Sequence, residues 1–258
     1  PFTDFQQQVL SDMYDAEVAY QDRQLQKLLR ALKRSGQLDN TMVIVVSDHG
    51  ESIGEHDFMG HGFVVYNELV HVPMFIRYPD GFPAGQRVEH EVSTRRIFHT
   101  ALEAAGIRRS VYGESTDALT LSRSVAGFDA EPEEETVVAE GFPPLNFINV
   151  MEMTHPEAVE QFRLRKTRRA LYQNGRKLMT IGVQPDEFFD TRLDPAETNN
   201  LLDRPFGYEN DIINMQHALD DWLVLAAAHR DGVAPAGEID YSDNPELLER
   251  LRGLGYIE

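Results

Sequence analysis

The sequence predicts an α/β protein in which an α/β region is followed by a small antiparallel sheet with a packing helix. Residues 6–34 carry apolar side chains at mostly three- and four-residue intervals, which is typical of an amphipathic helix. Residues 41–46 form a continuous, largely β-branched run, which indicates a buried strand. Asn174-Gly175 separates two short strand-like segments, and this dipeptide favours a tight hairpin turn.

The pattern of residues 6–46, a helix followed by a buried strand, is typical of half a strand–helix–strand unit. Gly36 follows the first helix as its expected C-terminal cap. The run over 41–46 is apolar at every position but the first, so we expect it inside a parallel sheet, covered on both faces. Residues 50–72 show no regular period and predict a long loop, and long loops are often functional. Residues 72–78 predict the next strand.

A further helix is predicted over residues 93–105, ending at Gly106. Its apolar residues share one face: Ile97, Phe98, Ala101, Leu102 and Ala105.

The pattern changes after about residue 125. We therefore assign residues 1–125 to the α/β domain and residues 126–258 to a smaller antiparallel-sheet subdomain. An acidic link over 131–135 precedes four short predicted strands, at 136–140, 169–172, 177–181 and 187–190. An amphipathic helix over 210–228 carries the single tryptophan, Trp222, and a last short helix is predicted over 245–254.

Composition narrows the range of functions. The chain has 258 residues and a formal net charge of −19, which disfavours nucleic acid as a partner because phosphate binding needs clustered Lys and Arg. It has no cysteine, so disulfides and thiolate metal sites are excluded within it. No apolar run approaches the roughly 20 residues of a transmembrane segment, and no signal peptide opens the chain. We expect a soluble protein, and a cytoplasmic or a periplasmic location stays open.

Asp48 and His49 follow directly after the predicted buried strand. In open α/β sheets, ligands bind at the carboxyl ends of the strands. An adjacent Asp and His can supply one oxygen and one nitrogen to a divalent metal ion if the backbone turns between them, and Gly50 makes such a turn easy. A helix cap or a polar turn explains this tripeptide about as well, so both interpretations stay open.

The loop after this turn holds further polar side chains. Singly, Glu55, His56 and Asp57 are best explained as parts of a hydrated loop. With Glu51 and His61 they could also complete a metal site. His61 stands out because it lies between two glycines, which let the backbone bring an imidazole into a narrow space. Such a histidine can bind an anion when protonated, or donate a proton to a leaving group.

These residues resemble the central block of the sulfatase family, which belongs to the alkaline phosphatase superfamily. The matching stretches of that block are Ser47-Asp48-His49-Gly50-Glu51, Gly54-Glu55-His56, Gly60-His61-Gly62, Tyr66-x-Glu68 and Val72-Pro73. Three further blocks agree in order, over residues 14–22, 98–107 and 186–201. The last contains Asp194-Pro195-x-Glu197. Four ordered blocks are more specific than one, and together they span nearly the whole chain.

The resemblance implies both a fold and a mechanism. The fold is the C-terminal part of an alkaline-phosphatase-like sandwich with a small antiparallel sheet and a helix. Family members attack a sulfate ester with a formylglycine hydrate that is held by a divalent metal ion. Asp48 and His49 match two metal ligands, and His61 matches a catalytic and substrate-binding position that contacts the sulfate or the leaving-group oxygen.

Two departures from the family pattern affect this interpretation. The Cys/Ser-x-Pro-x-Arg nucleophile motif and the N-terminal acidic pair are both absent, so we expect a C-terminal portion that is inactive alone. Its partner would be the missing N-terminal half or a second copy of the chain, and its substrate a small-molecule sulfate ester. Many relatives have Asn where His49 stands and bind Ca²⁺, whereas a nitrogen ligand favours Mn²⁺ or Zn²⁺.

Two alternatives remain open. A phosphodiesterase or phosphonate monoester hydrolase of the same superfamily would also use an Asp-His pair. A non-catalytic domain would bind a partner through an exposed sheet edge and would have no use for a divalent metal ion.

Overall fold

The structure is a computed structural model that describes residues 3–79, 81–107, 110–111, 114–115, 119–126 and 136–232. The chain divides into two compact units, Pro1–Asp220 and Asp221–Glu258, and every site considered below lies in the first. The proposed domain boundary after residue 125 stays a prediction. The predicted acidic link over 131–135 and the predicted helix over 245–254 fall outside the described residues.

Helices and strands alternate along the described chain. The α-helices are α1 Asp4–Arg34, α2 Asn67–Val70, α3 Arg96–Ala104, α4 Leu121–Ala126, α5 Leu145–Thr154, α6 Pro156–Gln161 and α7 Glu209–Gly232. The strands are β1 Val43–Val46, β2 Ser52–Ile53, β3 Met59–Gly60, β4 Met74–Arg77, β5 Ser110–Val111, β6 Glu114–Ser115, β7 Val137–Gly141, β8 Arg168–Gln173, β9 Arg176–Ile181 and β10 Gln184–Asp190. Among the described residues, 3₁₀ turns cover Leu38–Asn40, Glu55–Asp57 and Leu201–Asp203.

Helix α1 confirms the predicted first helix and begins with a capping box. The Thr3 side chain accepts from the backbone of Gln6, whose side chain accepts in return from the backbone of Thr3. The helix ends at Arg34 with Ser35 as its C-cap, and Gly36 follows with a φ of 72°, which glycine adopts without strain. None of its residues is buried, and part of its apolar face is open to solvent, with Met13 63% and Leu28 56% exposed.

Strand β1 exists as predicted, but its surroundings differ from the prediction. It pairs antiparallel with β4, with Val46 opposite Met74, and the two form a two-stranded sheet. The expected place inside a parallel sheet is therefore wrong for the described residues. A strand that is apolar at every position can be buried on both faces only if other elements cover both. Here Val46 is 36% and Phe75 68% exposed.

Helix α3 confirms the predicted helix, but it does not bury the predicted apolar face. Phe98 is 54% exposed, whereas Arg96, His99 and Thr100 are buried. Polar contacts with the α4 region explain this orientation. Arg96 donates to Ser124 at 2.6 Å, and the Thr100 hydroxyl accepts from the backbone of Leu121 at 2.9 Å.

The predicted small antiparallel sheet is confirmed. Its strand order is β10-β9-β8-β7, and every neighbouring pair is antiparallel. Asn174 and Gly175 turn the β8–β9 hairpin with φ values of 54° and 71°, as a type I′ turn requires. Leu171, Leu178 and Phe188 are wholly buried in this sheet. Helix α7 is tied to it by an ion pair from Arg176 to Asp211.

No helix among the described residues is long and apolar enough to cross a membrane.

The open face of α1 leads to a stability prediction. Replacing Met13, Val18 and Leu28 together by Gln should change the free energy of unfolding by no more than about 0.5 kcal/mol per site, because these side chains bury little surface. Binding of a hydrophobic dye should fall in the same variant. Leu178→Ala is the control and should cost about 2–5 kcal/mol in chemical denaturation. A loss from the triple variant as large as that of the control would contradict the described position of α1.

Candidate metal and substrate site

Asp48 and His49 form an exposed turn directly after β1. Asp48 accepts a hydrogen bond through Oδ1 from the backbone of His49 at 3.0 Å. The Nδ1 of His49 lies 2.8 Å from the carbonyl oxygen of Gly50. A carbonyl can only accept, so Nδ1 carries a proton, and in the neutral ring Nε2 then keeps the lone pair that a metal ion needs. The turn thus presents one carboxylate oxygen and one imidazole nitrogen outward.

One ion can reach both of the outward-facing ligand atoms of this turn. Nε2 of His49 lies 3.9 Å from Oδ2 of Asp48. An ion about 2.0–2.2 Å from each atom would span that separation. A backbone carbonyl that holds the far ring nitrogen is also the usual support of a metal-binding histidine. The residues present therefore fit a divalent ion, although they supply only two of the ligands it needs.

His61 lies against this turn. Its ring stacks on that of His49, with centroids 4.2 Å apart and an interplanar angle of 30°. Its Nδ1 lies 3.0 Å from Oε2 of Glu51, and because a carboxylate only accepts, Nδ1 donates. The ring orientation is thereby fixed, and the Nε2 edge of a 57% exposed side chain is left for other contacts. The structure thus brings together the three residues singled out from the sequence.

The other polar residues of the loop do not join this group. Glu55 accepts a hydrogen bond from the backbone of Ile53 at 2.6 Å, and Asp57 is exposed. His56 stacks on the ring of Tyr66, with centroids 3.7 Å apart. Its Nε2 lies 4.0 Å from Glu68. The hydrated-loop interpretation thus fits Asp57, whereas Glu55 and His56 make specific contacts.

Sequence reasoning did not predict a partly buried polar cluster that joins the loop to the segment after the small sheet. His56, Glu68 and Glu197 each bring one possible ligand atom within 4.8 Å of the others. The Lys177 side chain belongs to the same cluster, since its Nζ lies 2.7 Å from Oε1 of Glu197. A signal was available for two of them: Lys177 precedes an apolar run in a predicted strand, and Glu197 belongs to the Asp194-Pro195-x-Glu197 block.

A second buried contact fixes the end of the loop. The Tyr66 hydroxyl donates to Oε2 of Glu187 on β10 at 2.7 Å. Burial raises the pKa of Tyr66 above its usual value, and the neighbouring Glu187 raises it further. Burial also raises the pKa of Glu187, which the hydrogen bond from Tyr66 partly offsets. Tyr66 therefore stays protonated and donates at any physiological pH.

Comparison with known proteins gives this geometry a context. Residues 2–107 match the family model described as Sulfatase. An uncharacterized sulfatase, YidJ, of Escherichia coli (strain K12) is 28% identical over 193 residues, which are 74% of this chain and 34% of that protein. The chain spans about a third of the length of the first curated relatives it matches.

Two solved structures share the fold. A 2-O GAG sulfatase superposes with a TM-score of 0.64 at 20% identity, over 82% of this chain and 42% of that one. The phosphonate monoester hydrolase of Agrobacterium radiobacter gives a TM-score of 0.56 at 25% identity, over 81% and 39% of the two chains. The resemblance read from the four sequence blocks is confirmed: the chain is similar to sulfatases, and it shares the α/β fold of alkaline-phosphatase-like sulfatases.

Proposed function

We propose that this chain is part of a metal-dependent hydrolase of sulfate esters, with a formylglycine nucleophile that lies outside the chain. The observation that carries the proposal is the convergence of Asp48, His49 and His61 at the end of β1. The match to the Sulfatase model over residues 2–107, which include all three, supports it. The substrate would be a small molecule that carries a sulfate ester.

Asp48 and His49 would hold the metal ion. The Asp48 carboxylate contributes negative charge, and the Nε2 of His49 contributes a nitrogen that favours Mn²⁺ or Zn²⁺ over Ca²⁺. A divalent ion at this place would polarise the ester and lower the pKa of the nucleophile. The hydrogen bond from Nδ1 of His49 to the carbonyl of Gly50 keeps the free nitrogen directed outward.

His61 would act on the sulfate or on the leaving group. Its Nε2 edge is exposed, and the ring is held from behind by Glu51 and from one side by His49. A protonated imidazole in this position can bind an anionic oxygen or donate a proton to the departing alcohol. The carboxylate of Glu51 stabilises the positive charge that either role requires.

A phosphonate monoester hydrolase is the second candidate, because one of the superposed structures has that activity in its name. Asp-His pairs and divalent ions suit phosphoryl and sulfuryl transfer equally. The nucleophile separates the two, so the coding sequence upstream of Pro1 should be read in frame. Cys or Ser before x-Pro-x-Arg supports the sulfatase, whereas Thr at that place supports phosphoryl transfer and contradicts our first choice.

Metal binding tests the role of the turn. We expect the chain to bind Mn²⁺ weakly, because two ligands alone provide little charge and preorganisation. Asp48→Ala should weaken that binding about tenfold or more in a calorimetric titration. Asp57→Asn is the matched control, since it removes one carboxylate charge from the same loop without touching the turn. Equal Mn²⁺ affinity in Asp48→Ala and the native chain would contradict the assignment.

Substitutions at His61 test the second role. In the complete enzyme, His61→Ala should lower kcat for an aryl sulfate about 10²–10⁴-fold, because a proton donor or anion contact is lost. His61→Lys should keep more activity than His61→Ala, since an ammonium also binds an anion. Both rates are measured at saturating metal. An alanine variant as active as the native enzyme would exclude His61 from the reaction. The isolated chain, without any substitution, should turn over no aryl sulfate.

A further inference from the structure

The cluster of His56, Glu68 and Glu197 already contains a cation, the ammonium group of Lys177. Lys177 is wholly buried, Glu197 is 2% exposed, and their charged atoms lie 2.7 Å apart. The rings of Tyr172 and Tyr66 lie 5.0 Å and 6.0 Å from the ammonium, at distances where an aromatic face attracts a positive charge. A metal ion bound by His56, Glu68 and Glu197 would have to compete with this ammonium for the Glu197 carboxylate.

Burial and charge act against each other on this pair. Burial lowers the pKa of Lys177, while the nearby carboxylates of Glu197, Glu68 and Glu187 raise it. Burial likewise raises the pKa of Glu197, while Lys177 lowers it. Removal of either partner alone would leave a buried charge without compensation, which strongly destabilises the fold.

The second oxygen of Glu197 supports helix α2. Oε2 accepts a hydrogen bond from the backbone of Asn67, the first residue of α2, at 2.8 Å. Tyr66, which precedes the helix, gives no side-chain cap, so Glu197 supplies the missing acceptor from a distant segment. The Asn67 side chain is held from the same side, since it donates to the carbonyl of Pro195 and accepts from the hydroxyl of Tyr172.

Helix α2 in turn lies directly against the metal turn. The carbonyl of Leu69 accepts a hydrogen bond from the backbone of Gly50 at 2.8 Å. A Cβ atom placed on Gly50 would lie 1.9 Å from the carbonyl oxygen of Glu68, so the two backbones are in contact. The carbonyl of Gly50 then holds Nδ1 of His49. An unbroken series of hydrogen bonds and packed backbone therefore joins Glu197 to His49.

We propose that Lys177 and Glu197 are positioning residues for the metal turn. The Lys177 ammonium occupies the position where His56, Glu68 and Glu197 could otherwise bind a cation. The buried ion pair also fixes α2, and α2 in turn fixes Gly50 and His49. The relevance of this arrangement to catalysis rests on the proposed function. The arrangement itself is a property of the fold and can be measured without activity.

Two double variants test the proposal and avoid an unpaired buried charge. Lys177→Met with Glu197→Gln removes both charges but keeps an amide oxygen that can accept from the backbone of Asn67. Lys177→Met with Glu197→Leu removes both charges and that acceptor. The surface pair Arg165→Met with Glu152→Leu is the control, because it removes an exposed ion pair between a cationic side chain and a glutamate.

The measurement is amide hydrogen exchange by NMR at Gly50 and in α2, with the amides of β9 as reference. We expect exchange at Gly50 to rise about tenfold or more in the Leu double variant, and by less than threefold in the Gln double variant and the control. Unchanged Gly50 exchange in the Leu double variant would overturn the proposal. A rise at Gly50 no larger than that in β9 would also overturn it, since that is a global loss of stability.

Mn²⁺ titration tests whether Lys177 occupies the cation position of the His56–Glu68–Glu197 cluster, and it separates this inference from the proposed function. A chain that carries Asp48→Ala and His49→Ala should bind no Mn²⁺ at the cluster. Adding Lys177→Met to these two changes should create a Mn²⁺ site there. Adding Glu68→Gln as a fourth change should remove that site. Binding at the cluster while Lys177 is present would contradict the inference. If the native chain binds no Mn²⁺ at Asp48, the proposed function fails, but the Gly50 exchange result still decides the positioning role.

Discussion

No side chain fits between residue 50 and helix α2. A Cβ on Gly50 would lie 1.9 Å from the carbonyl oxygen of Glu68, so the turn after β1 and the start of α2 can meet only if residue 50 is glycine. This contact sets the distance between the two segments. Asp48 and His49 come directly before this contact in the chain, and the ring of His61 stacks on that of His49. The convergence of these three side chains depends on that one close approach.

The C-terminal sheet contributes to the same site through buried charge. Lys177 on β9 and Glu187 on β10 point their polar groups toward the loop, not toward solvent, and Glu197 follows the sheet. Such a network costs desolvation, which well-packed apolar residues of the same size would avoid. Its consequence is a fixed orientation for α2 and Tyr66. The small sheet therefore acts as the support of the loop, although no strand of it carries a residue of the proposed metal turn.

The apolar side chains on α1, β1 and β4 form a different kind of surface. Met13, Leu28 and Phe75 are each more than half exposed, and all lie in the part that matches the Sulfatase model. The chain spans about a third of the length of the curated relatives it matches. The proposed function requires the nucleophile and the remaining metal ligands to come from outside this chain.

The sequence was most informative where local chemistry decides the structure. The capped helix α1, the Asn174-Gly175 hairpin and the antiparallel sheet were all predictable, because turn residues and periodicity act over a few positions. Asp48, His49 and His61 were found by their place after a strand and between glycines, and the structure brings them together. The pairing of β1 and the buried face of α3 were not predictable, because both depend on what covers them. Lys177 and Glu197 are 20 residues apart, and no local pattern joins two charges in one buried pair.

The central claim is that a divalent ion binds at the turn of Asp48 and His49. The most direct measurement is anomalous X-ray scattering at the manganese edge from crystals of the protein soaked in Mn²⁺. We expect a peak within about 2–2.5 Å of both the Asp48 carboxylate and Nε2 of His49. A peak among His56, Glu68 and Glu197, or no peak at the turn at a concentration that saturates binding in solution, would contradict it.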